Sequence, residues 1–253
     1  MTKLQAKLVD DLVELYVANR DEVALALEQL RGQILADKEL GKYIHSIKWR
    51  IKDPEHVRDS LERKIKYAKD KQLRFEITRD NFFTEFYDLA GIRILHLHTQ
   101  QMEFIDKALK NRLDEARYQL IGEPTARTWD DETEAYFEKI GIKTKKSETL
   151  YTSVHYVLQT FSKSKYTCEI QVRTLAEELW GETSHTINYP EETSSVSCKE
   201  QLAVLARVTS AATRLVDAIF RSHREHLDNT KRDIKTARKP ATPKATAPKR
   251  RAN

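Results

Sequence analysis

From Lys3 to about Leu40, apolar residues recur at helical spacing: Leu4, Leu8, Leu12 and Leu15, then Val23, Leu27 and Leu30. Residues three and four apart share a helix face, so the stretch predicts two consecutive helices, or one broken near Asn19 to Asp21. The period then shortens to two in "YIHSIKWRIK", the mark of a strand. Asp53 before Pro54 reads as an N-cap with proline at the first helical position, opening the helix "PEHVRDSLERKIKYAK". A short helix is expected near Asn81 to Phe86. "DLAGIRILHLH" follows as a strand, in which Gly91 lets a backbone or a ligand come close. "QQMEFIDKALKNRLDEA" predicts a helix and "YQLIG" a short strand. Residues 122–149 are polar, with one short helix around Glu132 to Lys139. "YTSVHYVLQTF" and "KYTCEIQVRT" are two more strands, joined by a hairpin at Ser162 to Ser164. Thr174 and Glu177 have capping-box spacing for the next helix, and a long helix from about Cys198 to Asp228 closes the fold. The predicted class is α/β: a central mixed sheet of about five strands flanked by helices, with helical N- and C-terminal segments.

Composition narrows the function classes. The chain has 253 residues, 40% of them apolar, enough for a sizeable core. It has no run of 18 apolar residues, and its first residues, "MTKLQAKLVDDLVELY", lack an apolar signal core. The expectation is a soluble cytoplasmic protein with no membrane contact. Cys168 and Cys198 have neither metal-site nor disulfide-framework spacing and read as reduced and structural. The net charge of +5 is misleading, because nine of the 44 bases and one of the 39 acids fall in residues 231–253. Residues 1–230 keep 35 bases and 38 acids and are slightly acidic. The segment 231–253, rich in Lys, Pro, Ala and Thr, reads as a disordered basic tail, either a nonspecific RNA anchor or a solubilising extension.

Four polar clusters interrupt the apolar pattern: Lys48, Arg50 and Lys52; Asp88 with Arg93; Tyr151, Ser153 and His155; and Glu169, Gln171 and Arg173. Each lies on or beside a predicted strand, and alternation can turn each towards one sheet face. Two separated acids, Asp88 and Glu169, suit Mg²⁺, which takes one or two protein carboxylates and completes its octahedron with water and substrate phosphates. Several Lys and Arg around them suit a polyphosphate, so the set has the parts for phosphoryl or pyrophosphoryl transfer. The chain has no glycine-rich phosphate loop and no kinase signature, so side chains must hold the phosphates.

"YDLAGIRIL", "YTSVHYVL" and "CEIQVRTLAEELWGETSHTINY" resemble, in order and spacing, the synthetase domain of the RelA/SpoT alarmone synthetases, and "KWRIKDPEHVRDSLERK" is similar to that family's basic ATP-binding segment. The resemblance spans roughly residues 44–190 and implies a nucleotidyltransferase-like sheet within a synthetase domain over residues 1–230. It further implies Mg²⁺-dependent transfer of the β,γ-pyrophosphate of ATP to the 3′-hydroxyl of GDP or GTP, giving (p)ppGpp and AMP. Carried across, it makes Asp88 the principal Mg²⁺ ligand and Glu169 the second carboxylate, polarising the hydroxyl or binding metal. Arg50 and Arg93 would stack on adenine, Lys52 and Lys48 would serve ATP, Tyr151 would stack on the acceptor base, and Ser153, His155, Gln171, Arg173 and His185 would line the acceptor side. No His-Asp pair of the family's hydrolase domain occurs, so synthesis without hydrolysis is expected.

Three departures fall on the acceptor side. Leu150, Tyr151, Thr152 and Ser153 stand where the family usually has Gly, Tyr, a base and Ser; Ser184 replaces an acid and Pro190 a lysine. A loop without the base suits an acceptor lacking a nearby 5′ polyphosphate, so the 3′ end of tRNA and adenine nucleotides stay open as acceptors, as does a catalytically silent nucleotide- or RNA-binding module. A homo-oligomer and an antitoxin partner also stay open. Other features read as structure: Trp49, Trp129 and Trp180 as packing, and Leu202, Leu205, Val208, Leu215 and Ile219 as the core face of the last helix, with an oligomer contact as the alternative. His96 and His98 read as too poor in ligands for zinc, Glu178, Glu182 and His185 as a solvated helix face, and Lys143, Lys145 and Lys146 as a solvated loop, with acceptor phosphates or RNA as the alternative contact.

Overall fold

A computed structural model describes residues 1–160, 165–189 and 191–237. The chain begins with helix α1 (Lys3–Ala36), strand β1 (Ser46–Ile51), α2 (Pro54–Asp70), the short α3 (Phe82–Glu85) and β2 (Ala90–His96). It continues through α4 (Met102–Glu115), β3 (Gln119–Leu120), β4 (Thr125–Thr128), α5 (Asp131–Lys139) and β5 (Lys143–Lys146). Strands β6 (Ser153–Gln159) and β7 (Thr167–Thr174) follow, then α6 (Leu175–Asn188) and α7 (Val196–Ala237). The sheet is mixed, seven-stranded, in the order β1-β2-β7-β6-β4-β5, with β3 paired to β6.

The register explains how the sheet divides core from site. Residues opposite one another on paired strands share a face. One row across six strands, Lys48, Arg93, Gln171, His155, Thr125 and Lys143, is polar throughout. The row beside it, Ile47, Ile94, Val172, Val154, Ala126 and Thr144, is apolar up to its last member and belongs to the other face. That apolar face joins buried positions of α1, α2 and α4 in one core cluster, including Leu12, Tyr16, Leu27, Leu61 and Leu109. Glu178 of α6 bonds residues on the polar face, so α6 lies over one end of that face.

Several expectations needed correction. The sheet has seven strands, not about five, because β4 and β5 lie in the stretch expected to be one helix among loops. Their sequences, "TART" and "KTKK", have no apolar alternation, and they form only by pairing in parallel with each other while β4 pairs with β6. Lys143, Lys145 and Lys146 are therefore strand residues, not loop residues. Helix α1 is unbroken: the buried positions Tyr16 and Val23 keep the helical register across the polar turn, and Asn19 donates to the Leu15 carbonyl at 2.8 Å. Thr174 caps α6 by accepting from the Glu177 amide, but no capping box closes, since the Glu177 side chain is buried.

In α7, Leu202 is buried, whereas Val208, Leu215 and Ile219 are more than half exposed and do not form the expected core face. Trp180 is a packing residue, donating to the Leu202 carbonyl at 2.9 Å, but Trp49 is half exposed under the Arg31 guanidinium, 4.1 Å from its ring centre. Helix α7 continues to Ala237, into the segment assigned to a tail. The rest of that segment, the hairpin at Ser162 to Ser164, and Pro190 lie outside the described residues. Among the described residues no helix is long and apolar enough to cross a membrane.

Candidate active site

The polar face of the sheet floors an open cavity of about 1130 Å³. Of the residues singled out in the sequence, Lys48, Arg50, Asp88, Arg93, Tyr151, His155, Glu169, Gln171, Arg173 and His185 line it. Lys52 and Ser153 do not. Lys52 is buried, and its ammonium grips the Asp88 carboxylate, while its carbonyl accepts from the Tyr16 hydroxyl at 2.5 Å. Burial pulls the Lys52 ammonium below its ordinary pKa against the opposing pull of Asp88. Ser153 is buried and donates to the Val172 carbonyl at 3.3 Å, so it joins β6 to β7 rather than facing the cavity.

Glu169 and Asp88 have different surroundings. Both oxygens of Glu169 are engaged: His155 Nδ1 lies 2.7 Å from one, and Gln171 Nε2 donates to the other at 2.9 Å. Burial alone would raise this carboxyl, but those bonds and the nearby Arg127 charge hold it below its usual range. Asp88 is 38% exposed, with one oxygen on Lys52 and the other making no hydrogen bond to a described residue. Gly91, beside Glu169 in register, leaves ordinary space: a Cβ there would sit 3.7 Å from the Glu169 carbonyl oxygen. Among the described residues no three His, Cys, Asp or Glu gather around one point. The donor set fits an ion that uses one or two carboxylates and takes its remaining oxygens from water and phosphate, as Mg²⁺ does.

The cations are gathered by a residue that sequence reasoning had placed on a solvated helix face. Glu178 is buried, and its Oε1 accepts from Lys48 Nζ and from Arg93 Nη1, each at 2.9 Å. Its Oε2 lies 2.9 Å from Arg173 Nε, an ion pair whose angle falls outside hydrogen-bond geometry. Burial would raise the Glu178 carboxyl, and these cations hold it down. Glu182, one turn on, also pairs with Arg93. Gly181 leaves room here for the Arg173 guanidinium, which a Cβ at this position would oblige to shift.

In the loop before β6, Tyr151 donates to Gln171 Oε1 at 3.3 Å, with the Arg173 guanidinium 5.3 Å from its ring centre. Leu150, just before it, has φ +55°, the left-handed conformation that glycine adopts without strain. Thr152 turns inward, its hydroxyl 3.1 Å from that of Thr128. His185 stacks on Tyr189 at 4.7 Å, and Arg63 lies 5.4 Å over the same ring. Burial, with the charge of Arg50, lowers the His185 pKa. Arg63, Arg127 and Tyr189 line the cavity and were missed in the sequence. Alternation could have found Arg127 only once β4 was known to be a strand.

A family model described as a region found in RelA / SpoT proteins matches residues 49–194. No curated protein matches the sequence. Among solved structures, a GTP pyrophosphokinase family protein from Streptococcus pneumoniae is 19% identical with a TM-score of 0.57, covering 89% of this chain and 97% of its own. The small alarmone synthetase 1 of Bacillus subtilis bound to its product pppGpp is 19% identical with a TM-score of 0.53, covering 84% of this chain and 96% of its own. The same protein bound to AMPCPP is 18% identical with a TM-score of 0.54, over 84% and 97%. These likenesses show a shared fold. With more than half of its length matched, the chain belongs to the RelA/SpoT family.

Proposed function

We propose that the chain is a synthetase-only pyrophosphokinase that transfers the β,γ-pyrophosphate of ATP to the 3′-hydroxyl of GDP or GTP, releasing AMP and (p)ppGpp. The observation that carries this reading is the one cavity that Asp88 and Glu169 line together with Lys48, Arg50 and Arg93 of β1 and β2 and with Tyr151, His155 and Gln171. The B. subtilis synthetase of the same fold binds AMPCPP and pppGpp, one nucleotide of each kind this face would take.

In this reading Arg50 and Arg93 hold the adenine, Lys48 serves the donor nucleotide, and Arg173 lines the acceptor side. Lys52 acts through Asp88, fixing the position of its carboxylate. Asp88, with Glu169 beside it, would hold Mg²⁺, which when bound neutralises charge developing on the phosphates. Glu169, fixed by His155 and Gln171, draws the proton from the acceptor hydroxyl. That oxygen bonds the β-phosphorus as the bridge to the α-phosphate breaks, and AMP leaves with the electron pair. Tyr151 supplies the ring on which the guanine stacks.

Incubation with γ-labelled ATP and Mg²⁺, with GDP, GTP, ATP and deacylated tRNA offered separately, tests the reading. Label is expected on GDP or GTP with matching AMP. Label on tRNA alone would replace the acceptor assignment, and no transfer to any acceptor would leave a binding module.

A further inference from the structure

Arg127 enters the cavity on β4, an element the sequence pattern did not reveal. It is exposed, and its guanidinium makes no hydrogen bond or ion pair with a described residue. Most other bases lining the cavity are committed: Lys48, Arg93 and Arg173 to Glu178, and Lys199 to Glu192 at 2.8 Å. A guanidinium left with all its donors free, above a floor that already holds an ionised carboxylate, is arranged to meet an anion.

The strand order says which anion. Lys48, Arg50 and Arg93 stand on β1 and β2, and Glu169 lies on β7. Arg127 stands on β4, beyond both β7 and β6, yet close enough for its charge to act on Glu169. The reacting centre thus has cations on both flanks. The β1–β2 flank serves the donor nucleotide, so the β4 flank faces whatever carries the attacking hydroxyl. Lys145, the register partner of Arg127 on edge strand β5, adds positive charge to the same face.

This placement also accounts for the acceptor loop. The loop has Thr152 where a base is usual, and Thr152 is turned inward, bonded to Thr128, the residue after Arg127. The threonine–threonine contact ties the loop to β4 at the point where β4 sends its arginine into the cavity. A missing charge in the loop is thereby supplied from the neighbouring strand.

We propose that Arg127 binds the 5′-phosphates of the acceptor, so that this site selects a nucleoside diphosphate or triphosphate over an acceptor without phosphate there. The inference rests on the transfer reaction proposed above, and deepens it by assigning the residue that discriminates between acceptors.

The test compares GDP with guanosine as acceptors for the wild-type chain, Arg127→Ala and Arg127→Lys. In Arg127→Ala the KM for GDP is expected to rise about ten- to a hundredfold, the range of one lost charge-assisted hydrogen bond, while the KM for ATP stays within about twofold. Transfer to guanosine should fall far less than transfer to GDP, and Arg127→Lys should recover part of the GDP preference. A general loss of structure would depress both acceptors and ATP together. A raised KM for ATP, or equal losses with GDP and guanosine, would overturn the assignment. If the wild-type chain transfers to neither acceptor, the reaction proposed above fails by itself. Equilibrium binding then decides for Arg127: tighter binding of GDP than guanosine, abolished by Arg127→Ala, supports it, and the absence of that preference overturns it.

Discussion

Glu178 of α6 and Arg173 of β7 are buried against each other, Oε2 2.9 Å from Nε, with Gly181 providing the space in which the guanidinium lies. Burying two charges is costly, and their attraction repays it only while both are present. Glu178→Ala leaves Arg173 with little water and no counter-charge, beside Arg93, which also lowers its pKa. Urea unfolding of Glu178→Ala should show a loss of about 3–5 kcal/mol, with Glu178→Gln losing less because it keeps an acceptor for Lys48 or Arg93. A loss below about 1 kcal/mol for the alanine variant would show that the pair is not holding the cations together.

The Lys52–Asp88 pair makes a separate prediction, because the proposed function adds a chemical role for Asp88 to the ion pair that fixes it. Asp88→Asn should reduce AMP formation by at least about a hundredfold, and should also destabilise the fold by leaving the Lys52 ammonium buried without its counter-charge. Replacing both, Lys52→Met with Asp88→Asn, removes the orphaned charge. The double variant is expected to recover stability in thermal unfolding while remaining inactive. Recovery of AMP formation in it would remove Asp88 from the chemistry.

The elements visible in the sequence were those whose own residues carry the pattern. Strands β1, β2, β6 and β7 alternate between the cavity and the core, and Asp53 with Pro54 does start α2 as an N-cap and first-turn proline. Strands β4 and β5 were hidden because their stability comes from pairing, not from apolar side chains of their own. The cost was Arg127. Glu178 was misjudged for a related reason: helical spacing shows which residues share a face, but not that three cations from three different strands converge on that face. Ser153 has the right alternation for the cavity and is nevertheless covered, since alternation says nothing of what packs above a strand. In α7, helical spacing of apolar residues was mistaken for burial, but most of that stripe faces outward.

Leu150 gives a test of backbone strain beside the acceptor site. At φ +55° a side chain with a Cβ costs roughly 1–2 kcal/mol, which glycine avoids. Glycine also gains more entropy in the unfolded chain, by about 0.5–1 kcal/mol, so Leu150→Gly should be neutral or stabilising by up to about 1 kcal/mol. Leu150→Val, whose branched Cβ fits this region poorly, should destabilise and raise the acceptor KM by displacing Tyr151, with the KM for ATP unchanged. Thermal unfolding with acceptor titrations checks both. A valine variant with wild-type stability and acceptor KM would mean that this conformation does not position Tyr151.

Glu177 makes stability depend on pH in a direction opposite to most carboxylates. It is buried beside a small cavity that Thr152 of the loop and Arg173 of β7 help to line. Burial pushes its carboxyl up to about 7, against the pull of Arg173 and of the Thr152 amide, while the Asp130 charge adds to the rise. An acid raised in this way binds its proton more tightly in the folded chain than in the unfolded one. Its contribution to stability is therefore complete below pH 4.5, the ordinary value, and is lost as the pH rises through about 7. Glu177→Gln keeps an acceptor for the Thr152 amide and removes the titration. The stability of the variant minus that of the wild type should be level below about pH 4.5, grow by on the order of 3 kcal/mol between there and pH 7 to 8, and then level off. Taking the difference cancels the groups common to both proteins, such as His96, which burial lowers to about 4. Urea unfolding of both chains across pH 4 to 9 measures it. A difference that does not change with pH would mean that Glu177 stays ionised throughout and that Arg173 compensates its burial.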